Sequence, residues 1–158
     1  MTEVAAIQFT QDQARTLTGV SAETMRHWRK TIPYLSTKSG KVARFSFTDL
    51  MGLAVTHELV NSFGVHIAML RDGVDALFRL LAASGPASLD GAIVLVTATD
   101  AVMYELERAR GSLILSKMAL MVPLTPLITE MQRHVLPMAP VSGQATLLFP
   151  PEVVKNRA

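Results

Sequence analysis

This chain has no cysteine, which excludes both disulfides and soft-metal sensing through thiolate. Histidine is scarce too. His27, His57, His66 and His134 stand apart from one another and from any acidic cluster, so no metal-ligand spacing arises. The glycine motifs that bind phosphates or dinucleotides are missing, and so is the nucleophile elbow of serine hydrolases. The pair Ser142 and Gly143 has no triad context. Nothing in the sequence points to an enzyme or a cofactor. No apolar run reaches the length of a membrane span, since residues 113–122 are too short and Ser116 and Lys117 interrupt them. No apolar leader precedes the first helix pattern, so no membrane partner is expected.

Positive charge is present but unevenly placed. Seven cations (Arg15, Arg26, Arg29, Lys30, Lys38, Lys41 and Arg44) stand against the single acid Glu23, while the whole chain carries a net charge of only +2. Clustered positive charge is the footprint of phosphate binding. A solubilising face is the plainer explanation, but such charges would be spread along the chain. From Ser84 onward six basic residues balance six acidic ones, so a second nucleic-acid surface is not indicated.

The basic segment has a recognisable order. Thr10 with Gln13 forms a capping-box pattern, followed by Ala14 and Leu17 on one helical face. Gly19 suits a sharp turn, and Ser21 suits the cap of a second helix with Glu23 in its first turn. Met25 and Trp28 are expected in the core, with Thr24, Arg26, His27, Arg29 and Lys30 outside. Residues 34–47 are expected to form a β-hairpin, with its turn at Ser39 and Gly40. A helix is expected over residues 48–62, with Gly64 breaking it, and another over about 66–82, burying Ile67, Leu70, Val74, Leu77 and Leu81.

This order resembles the MerR family of bacterial transcription regulators. The resemblance rests on Phe9, Thr10, Ala14, the run from Leu17 through Ser21, Thr24, Met25, Arg26 and Trp28. It continues through Arg44, Phe45, Ser46, Asp49, Leu50, Gly64, Val65 and Leu70. It covers residues 8–82, half of the chain. Two positions depart from the pattern: Ala43 stands where family wings often carry arginine, and His27 where tyrosine is usual. The resemblance implies a winged helix-turn-helix that binds operator DNA as a dimer in a bacterial cytoplasm, with RNA polymerase as a further partner. It places Ser21, Thr24, Arg26, His27, Arg29 and Lys30 on the groove-facing helix, and Lys38, Lys41 and Arg44 on the wing.

The remainder is expected to be a separate small α+β unit. Residues 83–88 are small and turn-prone, which gives two units, 1–83 and 88–158. Strands are expected over 92–98, 113–122 and 145–149, with residues 100–110 forming either a short helix or a second strand. Thr125 and Pro126 open a helix that buries Leu127, Ile128, Met131 and Val135. No heptad run follows Gly85, so the long dimerisation helix common in the family is not expected. Dimerisation then falls to a strand edge within 113–122 or to the helix at Leu127, Met131 and Val135. The resulting class is mainly α with a small β component, α+β. The first functional expectation is a sequence-specific transcription regulator. The alternatives are an excisionase-like architectural factor, a phage DNA-recognition subunit, and a module that binds an acidic protein.

Overall fold

A computed structural model describes residues 7–38, 43–109 and 118–135 of the chain. Helix α1 (Gln11–Thr18) opens with the reciprocal cap legible in the sequence. Gln13 N donates to Thr10 Oγ1 at 3.2 Å, and Thr10 N donates to Gln13 Oε1 at 2.9 Å. Gly19 ends the helix in the left-handed region at φ 78°, where a Cβ is costly. Ser21 then caps α2 (Ala22–Thr31), accepting from Thr24 N at 3.1 Å.

Among the described residues, the first strand of the hairpin expected over residues 34–47 is not seen after α2. Instead, Pro33–Ser36 forms a short helix, α3. Proline at the first helical position presets φ and lacks an N–H that would be unsatisfied there anyway. Ser36 Oγ also donates to Arg29 O at 2.6 Å, which occupies a carbonyl near the end of α2. Phe45 is extended, but its partner is Phe9, with mutual backbone bonds of 2.8 and 2.9 Å. The strand pairing therefore comes from ahead of α1. The expected turn at Ser39 and Gly40, together with Lys41, lies outside the described residues.

Helix α4 (Phe47–Phe63) starts one residue earlier than expected. Ser46 is its cap, and Asp49 answers in a second capping box. Every residue from Phe47 through Thr56 is buried, the mark of a helix enclosed on all sides rather than on one face. After Gly64 a 3-10 turn (Ile67–Leu70) leads into α5 (Arg71–Ser84). The expected helix over 66–82 thus begins as a tighter turn, because His66 provides no side-chain cap. Its predicted inward residues Ile67, Leu70, Val74, Leu77 and Leu81 are all buried.

A three-stranded antiparallel sheet comes next, in the order β2–β1–β3. Its strands are β1 (Ala92–Val96), β2 (Ala101–Glu105) and β3 (Leu120–Pro123). Residues 100–110 hold both expected forms, β2 and then the short helix α6 (Leu106–Ala109). Within the described residues, only the end of the expected 113–122 strand is β-structure. Pro123 is its last member, which an edge strand tolerates. Helix α7 (Thr125–Val135) buries Ile128 and Met131 and half-buries Leu127. The Val135 side chain and the expected strand over 145–149 lie outside the described residues.

The sheet packs on α5, and α7 packs on α1 and α4. One apolar core therefore runs from Phe9 through Trp28, Leu53 and Leu77 to Val94 and Met131. The expected boundary at 83–88 is a turn (Pro86–Ser88) with this core continuous across it. The described chain is mostly helical with one small antiparallel sheet, an α+β class. None of its described helices is long and apolar enough to cross a membrane.

Candidate nucleic-acid interface

Met25, Trp28 and Ile32 pin one side of α2 into the core, each at most 2% exposed. Helical spacing then turns Glu23, Arg26, His27 and Lys30 outward, and all four are exposed. The Arg26, His27 and Lys30 side chains make no hydrogen bond or ion pair among the described residues. Ser21 is exposed at the start of the helix, and Thr24 is half-buried beside it, accepting from Ser21 Oγ at 2.9 Å.

The other cations of the basic cluster are engaged in different ways. Arg15 braces the turn between α1 and α2, donating from Nε to Val20 O at 3.3 Å and pairing with Asp12 at 3.2 Å. Arg29 is half-buried and donates to Gln11 Oε1 at 2.6 Å, tying α2 to α1. Gln11 is neutral, so the charge of Arg29 remains uncancelled. Arg44 is exposed, with Nη1 3.3 Å from the adjacent Ala43 carbonyl. Lys38 points inward onto Asp49, at 3.0 Å. The seven-residue cluster therefore divides into outward cations (Arg26, Lys30 and Arg44) and structural ones, with Lys41 outside the described residues.

Asp49 is the centre of the structural group. It is 1% exposed, yet both carboxylate oxygens are engaged. Tyr34 Oη donates to Oδ1 at 2.6 Å, while Lys38 Nζ and Ser46 N approach Oδ2 at 3.0 and 2.9 Å. The Tyr34 ring stacks on Phe78 at 5.2 Å, and its backbone N–H donates to Asp75 Oδ1 at 2.7 Å. Burial raises the Tyr34 phenol well above the usual tyrosine range. The hydrogen bond to Asp49 and the charge of Asp49 act in the same direction, while Arg79 pulls it back. The phenol thus stays protonated and remains a donor.

One residue near α2 carries no signal in the sequence. Arg71, at the start of α5, donates from Nε to Thr31 O at 3.1 Å. It places a cation at the negative end of α2. No local spacing reveals this, because the contact spans forty residues of chain. Beside α2 an open cleft of about 350 Å³ is lined by Glu23, His27 and Trp28 on one side and Val60, Val65 and His66 on the other. No group of three His, Cys, Asp or Glu side chains among the described residues is arranged to hold a metal ion.

Comparison of the chain with protein-family models, curated proteins and solved structures finds no match.

Proposed function

We propose that the protein is a sequence-specific DNA-binding regulator of transcription that acts on promoter or operator DNA as a dimer. One observation carries this reading: α2 is anchored by Met25, Trp28 and Ile32 and presents Arg26, His27 and Lys30 outward without partners among the described residues. A rigid helix with unpaired cations on its open face suits entry into a major groove, where arginine pairs with guanine or phosphate. Arg44 adds a cation from the segment paired with Phe9. In this reading the unit is a winged helix-turn-helix, as the resemblance to MerR regulators implies, with RNA polymerase as a further partner in a bacterial cytoplasm.

The test is duplex binding by the full chain across a salt series. Affinity is expected to fall steeply with salt as counterions are released. Arg26→Ala should cost roughly 1–3 kcal/mol and, where it reads a base, relax preference at one position. A flat salt response, or no binding to any duplex, overturns the reading. Mapping bound sites across the source genome then separates a regulator, found at promoters, from a recombination factor found at a single attachment locus.

The structure bears on where a dimer contact could form. The apolar face of α7 is already occupied within the chain, since Ile128 is 0% and Met131 2% exposed. Strand β3 remains open at Met121, which lies opposite Leu95 on one side as Val102 does on the other. Met121 and Val102 are 50% and 43% exposed. Leu95 between them is 1% exposed, so only the edges of this face are open, and we propose that a dimer contact would use the exposed Met121 edge, with the isologous symmetry usual for a pair. Sedimentation at tens of micromolar should show a dimer for the full chain and a folded monomer for Met121→Asp. A wild-type monomer at that concentration excludes the dimer, and an unaffected Met121→Asp dimer places the contact elsewhere.

A further inference from the structure

Lys38 and Arg44 bracket the segment that carries the second basic element. Lys38 is the last described residue before that segment. Its ammonium group does not face solvent as a phosphate contact would. It pairs with Asp49 Oδ2 at 3.0 Å, donates to Arg44 O at 3.3 Å and lies 5.7 Å from the Tyr34 ring centroid. The Lys38 side chain is 25% exposed and that of Asp49 only 1%. Asp49 is in turn fixed by the Ser46 cap of α4 and by the Tyr34 hydroxyl. Lys38 is thus held by three elements at once: α3 through Tyr34, α4 through Asp49, and the backbone of Arg44.

The clamp also fixes Arg44. Its carbonyl is gripped by a cation whose own position is set by a buried carboxylate. The backbone of Arg44 is held on its other side by the Phe9–Phe45 pairing. The exposed guanidinium of Arg44 therefore projects from a fixed base. Because α3 comes directly after α2, the same clamp sets where that base lies relative to the outward face of α2. A lysine whose charge is matched by Asp49 would also release no counterion from a phosphate.

We propose that Lys38 is a positioning residue for DNA binding, one that acts through Asp49 to hold Arg44 in place and makes no phosphate contact of its own. The proposal rests on the DNA-binding reading above, and its test distinguishes failure of one from failure of the other. Duplex affinity and its salt dependence are measured on the full chain for wild type, Lys38→Met, Lys38→Arg, Asp49→Asn, the Lys38→Met and Asp49→Asn double variant, and Arg44→Ala. Lys38→Met keeps the aliphatic stem over Tyr34 and removes only the charge. Asp49→Asn keeps the side chain's shape, removes its charge and so breaks the ion pair, and leaves one accepting oxygen where the carboxylate had two. Circular dichroism establishes that each variant is folded.

A phosphate contact and a clamp predict opposite results. If Lys38 is a clamp, Lys38→Met and Asp49→Asn each weaken binding about tenfold, and the double variant is no worse than either alone. The salt slope stays at the wild-type value in both, Lys38→Arg restores affinity, and Arg44→Ala lowers the slope by about one. If Lys38 touches phosphate, Lys38→Met lowers the slope by about one. Asp49→Asn then leaves affinity unchanged or raises it, because it frees a cation and removes an anion. That second pattern overturns the proposal while leaving DNA binding intact. A wild-type chain that binds no duplex overturns the DNA reading, and this proposal with it.

Discussion

Trp28→Ala is expected to destabilise the protein by about 3–5 kcal/mol, the cost of removing a buried aromatic without refilling its space. Trp28 is 2% exposed on the buried side of α2, with Met25 and Ile32 at 0% on either side. Trp28 also lines the cleft beside Val60 and Val65. Total stabilities of small domains run to about 5–15 kcal/mol, so this single change removes a large fraction. Urea unfolding is the measurement. Trp28 is the only tryptophan, so helical circular dichroism must report the transition in place of fluorescence. Arg26→Ala, on the exposed side of the same helix, should shift stability by less than about 0.5 kcal/mol. Equal effects at the two positions would mean that α2 is not anchored by this face.

The capping residues and the two core positions of α2 are readable in the sequence because each depends on neighbours within four residues. Thr10 with Gln13, Gly19, and Ser21 with Thr24 all act locally, and all stand where the spacing puts them. The short helix α3 is not readable in the same way. Pro33 is ambiguous in sequence: it can follow a helix or begin one, and the choice is settled by Ser36 reaching back to Arg29 O and by Tyr34 docking on Asp49 and Phe78. The burial of α4 on all sides is equally hidden, since Thr48, Asp49 and Thr56 are polar residues that read as exposed in the sequence and are buried in the fold.

The candidate site divides along the same line. Composition locates the cluster of cations but does not sort them. Arg15, Arg29 and Lys38 look the same in sequence as Arg26, Lys30 and Arg44. What separates them is the partner each meets: Asp12 and the Val20 carbonyl for Arg15, Gln11 for Arg29, and Asp49 for Lys38. Two of these partners are distant in sequence, as is the carbonyl that Arg71 caps. The expected unit 1–83 rests on small residues at its boundary. Such residues show where the chain turns, and they carry no information on whether the apolar surfaces on either side meet. Here they do, through α5 against β1 and β2.

That contact supplies the other large effect. Gly73→Ala is expected to destabilise the protein by about 2–4 kcal/mol, against the helix propensity of the two residues. Gly73 lies in the first turn of α5, and its N–H donates to Ala98 O at 3.1 Å, satisfying a donor that the helix itself cannot. A Cβ at this position would overlap the Thr97 carbonyl oxygen and stand 3.3 Å from Val96 Cγ1. In an open helix, alanine would gain about 0.8–1 kcal/mol over glycine. Here the obstacle is backbone, fixed by the Thr97 N–H to Asp100 O bond of 2.8 Å, so it cannot rotate aside. Overpacking of this kind costs typically about 1–3 kcal/mol and more where the obstacle is rigid. Gly52→Ala is the instructive comparison. Its Cβ would overlap the Phe78 ring, which is 1% exposed and stacked on Tyr34, so it can yield only by disturbing that stack and a loss of the same order is expected. Gly64→Ala meets nothing within 4 Å but sits at φ 65°, and should cost only the left-handed backbone penalty of about 1–2 kcal/mol. Urea denaturation of the three variants should therefore show Gly73→Ala and Gly52→Ala as clearly more damaging than Gly64→Ala. A Gly73→Ala chain as stable as wild type, or more so, would mean that α5 and the β1–β2 turn do not meet closely, and that the two halves of the chain do not share one core.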